Sequence, residues 1–491
     1  MSILGAERHR RRAEELLPAE LRSAEHAGLR SRLRQANADS KVWTIVLDDD
    51  PTGSQCVQGI PVLTRWAPED LKWAFAQDAQ GFFILTNTRA LNEGDARTLL
   101  IDVARAIERA SEEAQSTYTL LTRSDSTLRG HFPLETDVLV DLAKSRGTPY
   151  DAILMAPAYI AAGRITSSDV HYVADGEYFI PVGQTAYARD ATFGFVSSNL
   201  RDYVEEKTAG TILAADVVSL SLDDIRVGGA ERVRDVLRAC RDASPVIVNA
   251  VTEFDLDVVA LGLIEAEKSG VRVVSRTGPS FVAARLGLAD HVPLTHAEIF
   301  AKGTRTGNGL VVFGSHVELT TRQVARMIAD CADFVTVELN VQLLLDPEEA
   351  PAELARCEKD LLAALRHSDA MLVSSRDLVV GSSGDSSLVI AQTVSAALSG
   401  LSARAVAEVP VKWVLAKGGI TSSDIATDGL NIRRAMVAGQ LFDGIVSVWV
   451  HQGGDDDQLD GLPYIVFAGN VGDETSLAKA VNIMRGAPDA R

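Results

Sequence analysis

The sequence predicts an α/β protein of two domains, each a mostly parallel sheet flanked by helices, with its active site in the cleft between them. Three observations lead there. From Val42 onward, short β-branched runs alternate with longer stretches of helical period, and such strand–helix–strand alternation requires a parallel sheet covered on both faces. The chain has 491 residues, too many for one ordinary core at roughly 150 residues per domain. The alternation also pauses at HVPLTHAEIFAKGTRTGN, residues 291–308, a polar stretch with two glycines that reads as a linker.

Residues 1–40 include AERHRRRAEELLPAELRSAEHAGLRSRLRQ, arginine-rich and helix-prone. Glu7, Glu14, Glu15, Glu20 and Glu25 argue against a transit peptide, which avoids acids. A helical extension packed on the domain or on another subunit is expected, which leaves a homodimer open. In residues 41–290 the strand candidates are VWTIVL (42–47), GFFILT (81–86), YTLLTR (118–123), DAILMAP (151–157), ASPVIVNA (243–250) and VRVVSRT (271–277). Helical periods at 93–114 and 131–147 separate some of them. Residues 309–491 open a second series: GLVVFG, DFVTVEL, MLVSS, VKWVLAKGG and PYIVFAGN.

Composition narrows the function. The net charge of −19 argues against nucleic acid as the main partner, because phosphate backbones need a basic face. Four scattered cysteines, with no CxxC pair or metal-ligand spacing, suit a reducing cytoplasm. No run reaches the ~18 apolar residues of a membrane span, so no membrane partner is expected.

In sheets of this kind, ligands sit at strand carboxyl ends. Asp48, Asp49 and Asp50 come directly after the first strand. Three adjacent carboxylates repel one another and need a cation or donors, unless the segment is simply a solvated acidic turn around Pro51 and Gly53. Arg89 comes after the second strand, and RSDSTLRGH places Arg123, Ser124, Asp125, Ser126, Thr127, Arg129 and His131 after the third. Guanidinium groups bind carboxylates bidentately, and Asp and Ser suit hydroxyls. A polyhydroxy acid fits that mixture. Arg164 and His171 lie after the fourth strand, where His171 could be a catalyst or a structural hydrogen-bonder.

The second series ends its strands in glycine turns: FGSHVELTTRQV, AKGGITSSDIA and FAGNVGDETS. Gly314, Gly418, Gly419, Gly469 and Gly472 allow backbone to approach a ligand, with donors from Ser315, Thr421, Ser422 and Asn470 and charge from Lys417 and Arg322. Helix N-termini carry ~0.5 e of positive charge, so converging turns make a nest for polyphosphate. Alone, KGGITSS reads as a capped strand-to-helix corner. Neither GxxxxGK[ST] nor GxGxxG after a strand is present. QGGDDDQ (452–458) resembles the glycine–aspartate of ribokinase-type enzymes, but its acidic surroundings read as a solvated turn.

Taken together, DDPTG (49–53), TNTRAL (86–91), RSDSTLRGH (123–131), APAYIAAGR (156–164), FGSHVELTTRQV (313–324), GGITSS (418–423) and the GNVG of 469–472 resemble the four-carbon acid sugar kinase family. The motifs run in the family's order over about 430 residues from Val42 to the C-terminal helix. The resemblance implies an N-terminal substrate domain and a C-terminal nucleotide domain. It further implies ATP-dependent phosphorylation, with Mg²⁺, of the terminal hydroxyl of threonate, erythronate or an oxo-tetronate. It assigns substrate contacts to Asp49 or Asp50, Arg89, Arg123, Ser124, Asp125, Ser126 and Arg129. Nucleotide contacts would be Ser315, Gly418, Gly419, Thr421, Gly469 and Asn470. Asp49 or Asp50 would accept the hydroxyl proton and Lys417 would meet phosphate; metal ligands stay unassigned. Arg123 stands where lysine is frequent, Pro51 where an apolar residue is usual, and Ile420 where an acid is common. A homologue that binds sugar acid or nucleotide without turnover, acting in regulation, is the alternative.

Overall fold

The computed structural model describes residues 11–16, 23–288, 292–301, 303, 305–314, 318–331, 333–375, 384–442, 445–454, 457–469 and 471–487. Two compact units divide between Asp290 and His291.

The first unit is built on a parallel sheet. Its strands are β1 (Val42–Asp48), β2 (Ile60–Leu63), β3 (Gly81–Leu85), β4 (Thr117–Arg123) and β5 (Ala152–Ala156). An antiparallel excursion comes next, β6 (Arg164–Ser167), β7 (Val170–Asp175) and β8 (Tyr178–Pro181). The sheet resumes with β9 (Val218–Leu220), β10 (Ser244–Val248) and β11 (Val273–Thr277). The order across it is β9-β10-β5-β11-β4-β1-β3-β2, parallel throughout. Strands such as GFFIL and AILMA are buried at every residue, which is why they read as continuous apolar runs rather than alternating ones.

Order reverses about β1. The chain runs from β1 through β2 to β3 on one side, then crosses to β4 on the other through helix α2 (Glu93–Glu113); the N-terminal helix Ser23–Ser40 is α1. Such a reversal opens a crevice above the strand ends. Asn92 caps α2 by accepting from Asp95 N, and Ala96, Leu100, Val103 and Ile107 form its buried stripe. In register, Asp48 lies beside Arg123, and Arg123 beside Thr277.

The N-terminal extension belongs to this unit. Arg11–Arg12 pairs antiparallel with β8. Helix α1 packs on α4 (Glu253–Lys268) and buries Leu29 and Leu33. Arg30 reaches Asp257 on α4 at 2.8 Å. Asn37 donates to the carbonyl of Arg285 on α5 (Pro279–Leu286) at 2.8 Å and accepts from its Nη1 at 2.5 Å.

The second unit starts earlier than the sequence suggests. Residues 292–301, expected as linker, pack into its core: Leu294, Ile299 and Phe300 join Val311, Trp413 and Phe467. His296 Nδ1 lies 3.0 Å from the carbonyl of Ile483, and a Thr295–Glu298 capping box starts a short helix. Polar character hid three apolar anchors in and beside one helical turn. The sheet comprises β12 (Asn308–Phe313), β13 (Val335–Leu339), β14 (Ala370–Ser374), β15 (Val411–Lys417), β16 (Arg434–Gln440), β17 (Val446–His451) and β18 (Pro463–Phe467). Its order is β16-β17-β18-β15-β12-β14-β13, and β17 alone runs antiparallel to its neighbours. Helices α6 (Glu318–Asp330), α7 (Gly384–Glu408) and α8 (Ser476–Arg485) accompany it. Within α7, Val389–Glu408 is apolar and long enough to cross a membrane by length and composition. Leu398, Leu401 and Ala405 are buried inside the protein, as in a core helix.

Leu33→Ala tests the docking of α1. Emptying that site costs about 2–5 kcal/mol, so the first denaturant transition should move to lower urea; an unchanged midpoint would mean that α1 does not pack there.

Candidate functional site

In the first unit, four carboxylates and three guanidiniums meet at the ends of β1, β3 and β4. Arg123, 4% exposed, donates to Asp48 Oδ1 at 2.5 Å and to the Asp50 carbonyl at 2.5 Å. Its Nη1 lies 3.6 Å from Asp49. Arg89 sits after β3 on a one-turn helix begun by Asn87, whose φ of 50° turns the chain sharply. It pairs with Asp50 at 2.5 Å, and lies 3.5 Å from Asp49 and 3.6 Å from Asp125. Arg129 pairs with Asp125 at 2.6 Å. Gly53 is required beside this network, because a Cβ there would collide with Arg123 and the Asp48 carboxylate.

The carboxylates are not equivalent. Burial pushes Asp50 up, but Arg89, Arg123 and bonds from Thr52 outweigh it and hold its pKa below the usual range. Burial likewise opposes Arg89 and Arg129 at Asp125, which they hold at about 2. Asp49 differs. It is 1% exposed, and neither carboxylate oxygen accepts a hydrogen bond. Burial pushes it up to about 7 against the pull of Arg89 and Arg123. A buried carboxylate with spare acceptor capacity and a pKa near neutrality is the profile of a general base.

Supporting bonds fix the loops. Glu135 on α3 (Leu134–Ser145) accepts from Thr88 at 3.0 Å and Ser124 at 3.1 Å. His131 Nε2 reaches the Thr88 and Leu91 carbonyls at 3.0 Å. Ser126 presents its carbonyl to His171 Nε2 at 2.8 Å. Because that carbonyl only accepts, His171 carries its proton on Nε2 and accepts from Thr166 on Nδ1, 2.9 Å away. Burial depresses His171 to about 4, so it is a neutral positioning residue for the 123–131 loop. Thus Asp49, Asp50, Arg89, Arg123, Ser124, Asp125, Ser126 and Arg129 lie in one bonded neighbourhood. Arg276, at the end of β11, was missed because only its strand, not its neighbours, is visible in VRVVSRT.

In the second unit, the glycine turns leave the same edge of three adjacent strands, with Phe313, Lys417 and Phe467 in register. A Cβ on Gly314 would lie 3.7 Å from Thr421 Oγ1, so the first two turns touch. Gly418 has φ 115° and opens the helix Gly419–Asp424 with no side chain accepting from its first N–H groups. Ser422 does not cap it; its hydroxyl donates back to the Ala416 carbonyl at 2.8 Å. Thr320 and Gln323 on α6 donate to the carbonyls of Gly469, Val471 and Asp473 at 3.1, 3.1 and 2.7 Å, clamping the third turn. Ser315 and Asn470 lie outside the described residues.

Lys417 departs from expectation. It is fully buried and donates to the Ala468 carbonyl at 3.0 Å, with Gly469 O at 3.5 Å and the Phe467 ring 4.1 Å away. Burial lowers its pKa to about 7. Its ammonium is spent tying one glycine turn to the next rather than facing outward. Arg322 pairs with Glu474 at 2.9 Å. In the QGGDDDQ stretch, Gly453 N and Gly454 N donate to Asp460 Oδ1 at 2.8 and 3.1 Å, while Asp455 and Asp456 lie outside the described residues.

These two units define a two-domain α/β protein with one sugar-binding and one nucleotide-binding domain. Residues 44–285 match the family model of a sugar-binding N-terminal domain, and residues 310–477 that of a nucleotide-binding C-terminal domain. The chain belongs to the four-carbon acid sugar kinase family. A Salmonella typhimurium LT2 protein carrying a provisional tRNA-synthase name is similar in structure, with TM-score 0.64 and 16% identity over 89% of this chain and 98% of that one. A Haemophilus influenzae protein of domain-of-unknown-function family 1537 has TM-score 0.58 and 19% identity over 89% and 99%. At such identities the likeness establishes the fold alone. No curated protein matches the chain.

Gly53→Ala should lower the first thermal transition and remove stabilisation by added sugar acid. Wild-type melting with ligand stabilisation intact would show that the Asp48–Arg123 contact tolerates displacement.

Proposed function

We propose that the protein is an ATP-dependent kinase that phosphorylates the terminal hydroxyl of a four-carbon sugar acid. The observation that carries this reading is Asp49: buried, without a hydrogen bond to its carboxylate, and raised to about 7. A protein that only binds sugar acid has no need of a buried carboxylate with unmet acceptors, which costs stability. A kinase does, because the acceptor hydroxyl must be oriented and its proton received.

Asp49 takes the role of base, and Asp50 that of anchor for Arg89. Of the three clustered guanidiniums, Arg89 and Arg129, 17% and 26% exposed at their side chains, are the ones open to solvent. Arg123 holds the aspartate loop in shape. Ser124, Asp125 and Ser126 line the same loop and supply hydroxyl contacts. The turns at Gly418–Gly419–Thr421 and Gly469 take the nucleotide phosphates through backbone N–H groups, with Ser315 and Asn470 as further donors and Lys417 holding two turns in register. Mg²⁺ would neutralise phosphate charge. Among the described residues no group of three or more His, Cys, Asp or Glu side chains is arranged to hold a metal ion, so the ion would be carried chiefly by the phosphates, as is common for Mg²⁺.

Asp49→Asn should lower kcat by ~10²–10⁴-fold with the nucleotide Kd unchanged; wild-type-like turnover would end the assignment. Because Asp49 must be ionised to accept a proton, wild-type kcat/KM should fall on the acid side with a midpoint near 7, and that limb should vanish in Asp49→Asn. Gly419→Val should abolish nucleotide binding measured calorimetrically while sugar-acid binding persists. Unchanged ATP affinity would reduce KGGITSS to a structural corner.

A further inference from the structure

Arg89, Arg123 and Arg129 each face an aspartate. Arg276 and Arg164, whose buried Nε atoms make no hydrogen bond, do not. Arg276, 2% exposed, has no carboxylate within ion-pair distance among the described residues, and its Nε makes no hydrogen bond. Its one bond is a long one, from Nη2 to the Arg129 carbonyl at 3.4 Å, and its guanidinium lies 5.2 Å from the Phe132 ring centroid. Arg164 likewise has no carboxylate partner among the described residues, and its buried Nε is unbonded. Both charges act on the same buried His171 and help keep it neutral. Burying a guanidinium without a counter-ion is costly, and its surplus donors suit an anion that arrives from outside.

Gly130 supplies the geometry. With φ 122°, it is where a Cβ would stand 3.3 Å from Asp49 Oδ2 and 3.7 Å from Arg276 Nη2. These two groups therefore lie within about 7 Å of each other. One offers unmet acceptors and the other unmet donors. A ligand joining them needs a hydroxyl at one end and an anion at the other, and with a hydrogen bond of about 2.8 Å at each end the gap admits only a short chain between them.

We propose that Arg276, assisted by Arg164, receives the carboxylate of the sugar acid and sets the preference for acids over neutral polyols. This rests on the kinase reading for the identity of the ligand. It moves carboxylate recognition from the arginines already neutralised by aspartate to the ones that are not. Gly130 is then kept free of a side chain because a Cβ would enter the space between hydroxyl and anion sites.

The test is calorimetric binding of threonate, erythronate and the neutral erythritol to the full-length wild type, Arg276→Met, Arg276→Lys and Arg164→Met, without nucleotide. Wild type should bind an acid and discriminate against erythritol. Arg276→Met should weaken acid binding about 100-fold and leave erythritol unchanged, so that discrimination collapses. Arg276→Lys, which keeps the charge but loses the planar fork, should lose about tenfold, and serves if the methionine variant does not fold. Acid affinity within twofold of wild type in a folded Arg276 variant would overturn the proposal. So would equal losses for acid and polyol, or failure of wild type to bind either acid. If acid binding depends on Arg276 but no phosphate transfer is detected, the kinase reading fails and this assignment stands.

Discussion

The ion pair between Arg123 and Asp48 is the constraint on which the sugar-binding unit depends. The two residues stand side by side at the ends of adjacent parallel strands, 2.5 Å apart and almost wholly buried. Burial pushes Asp48 up to about 8 even with Arg123 beside it, and removing Asp48 would leave a buried guanidinium uncompensated, at a cost of about 3–5 kcal/mol. Once formed, the pair sets the path of the aspartate loop. Arg123 also holds the Asp50 carbonyl, which turns that loop so that Asp49 faces inward and Asp50 meets Arg89. Buried pairs of this kind add little net stability over apolar packing. What this one supplies is orientation, and the unmet hydrogen-bonding capacity of Asp49 is its consequence.

The nucleotide-binding unit solves a related problem with backbone rather than charge. Lys417, Thr320 and Gln323 all donate to carbonyls of the turn after β18. With those carbonyls held by the protein, the turn keeps one shape. Gly418, at φ 115°, lets the neighbouring turn start a helix without a side chain over its first N–H groups. The cost is a lysine buried well enough to lower its pKa to about 7.

Much of this was legible in the sequence, for definite reasons. The parallel strands announce themselves because burial on both faces demands unbroken apolar runs, as in VWTIVL and VKWVLA. The strands β2, β6–β9 and β16 do not, being short or half-exposed. The site's arginines and aspartates were visible through their positions after strands. Which aspartate differs from its neighbours was not, because that depends on which guanidinium each one meets across the sheet. Lys417 misleads for the same reason: a lysine after a strand and before two glycines looks like a phosphate ligand until its buried position is known. Arg276 carries no local signature, since its meaning lies in the absence of a partner. Residues 292–301 misled through composition, with Leu294, Ile299 and Phe300 concealed among polar neighbours.

The central claim is that these two units together transfer phosphate to a four-carbon sugar acid. It is tested most directly by following transfer of the labelled γ-phosphate of ATP, in the presence of Mg²⁺, to a panel of four-carbon and five-carbon sugar acids and their neutral polyols. The account predicts a labelled phosphorylated acid and stoichiometric ADP with at least one four-carbon acid, and none with the corresponding polyol. ATP binding and acid binding without any labelled product across the four-carbon acids would contradict it and leave a binding protein in place of a kinase.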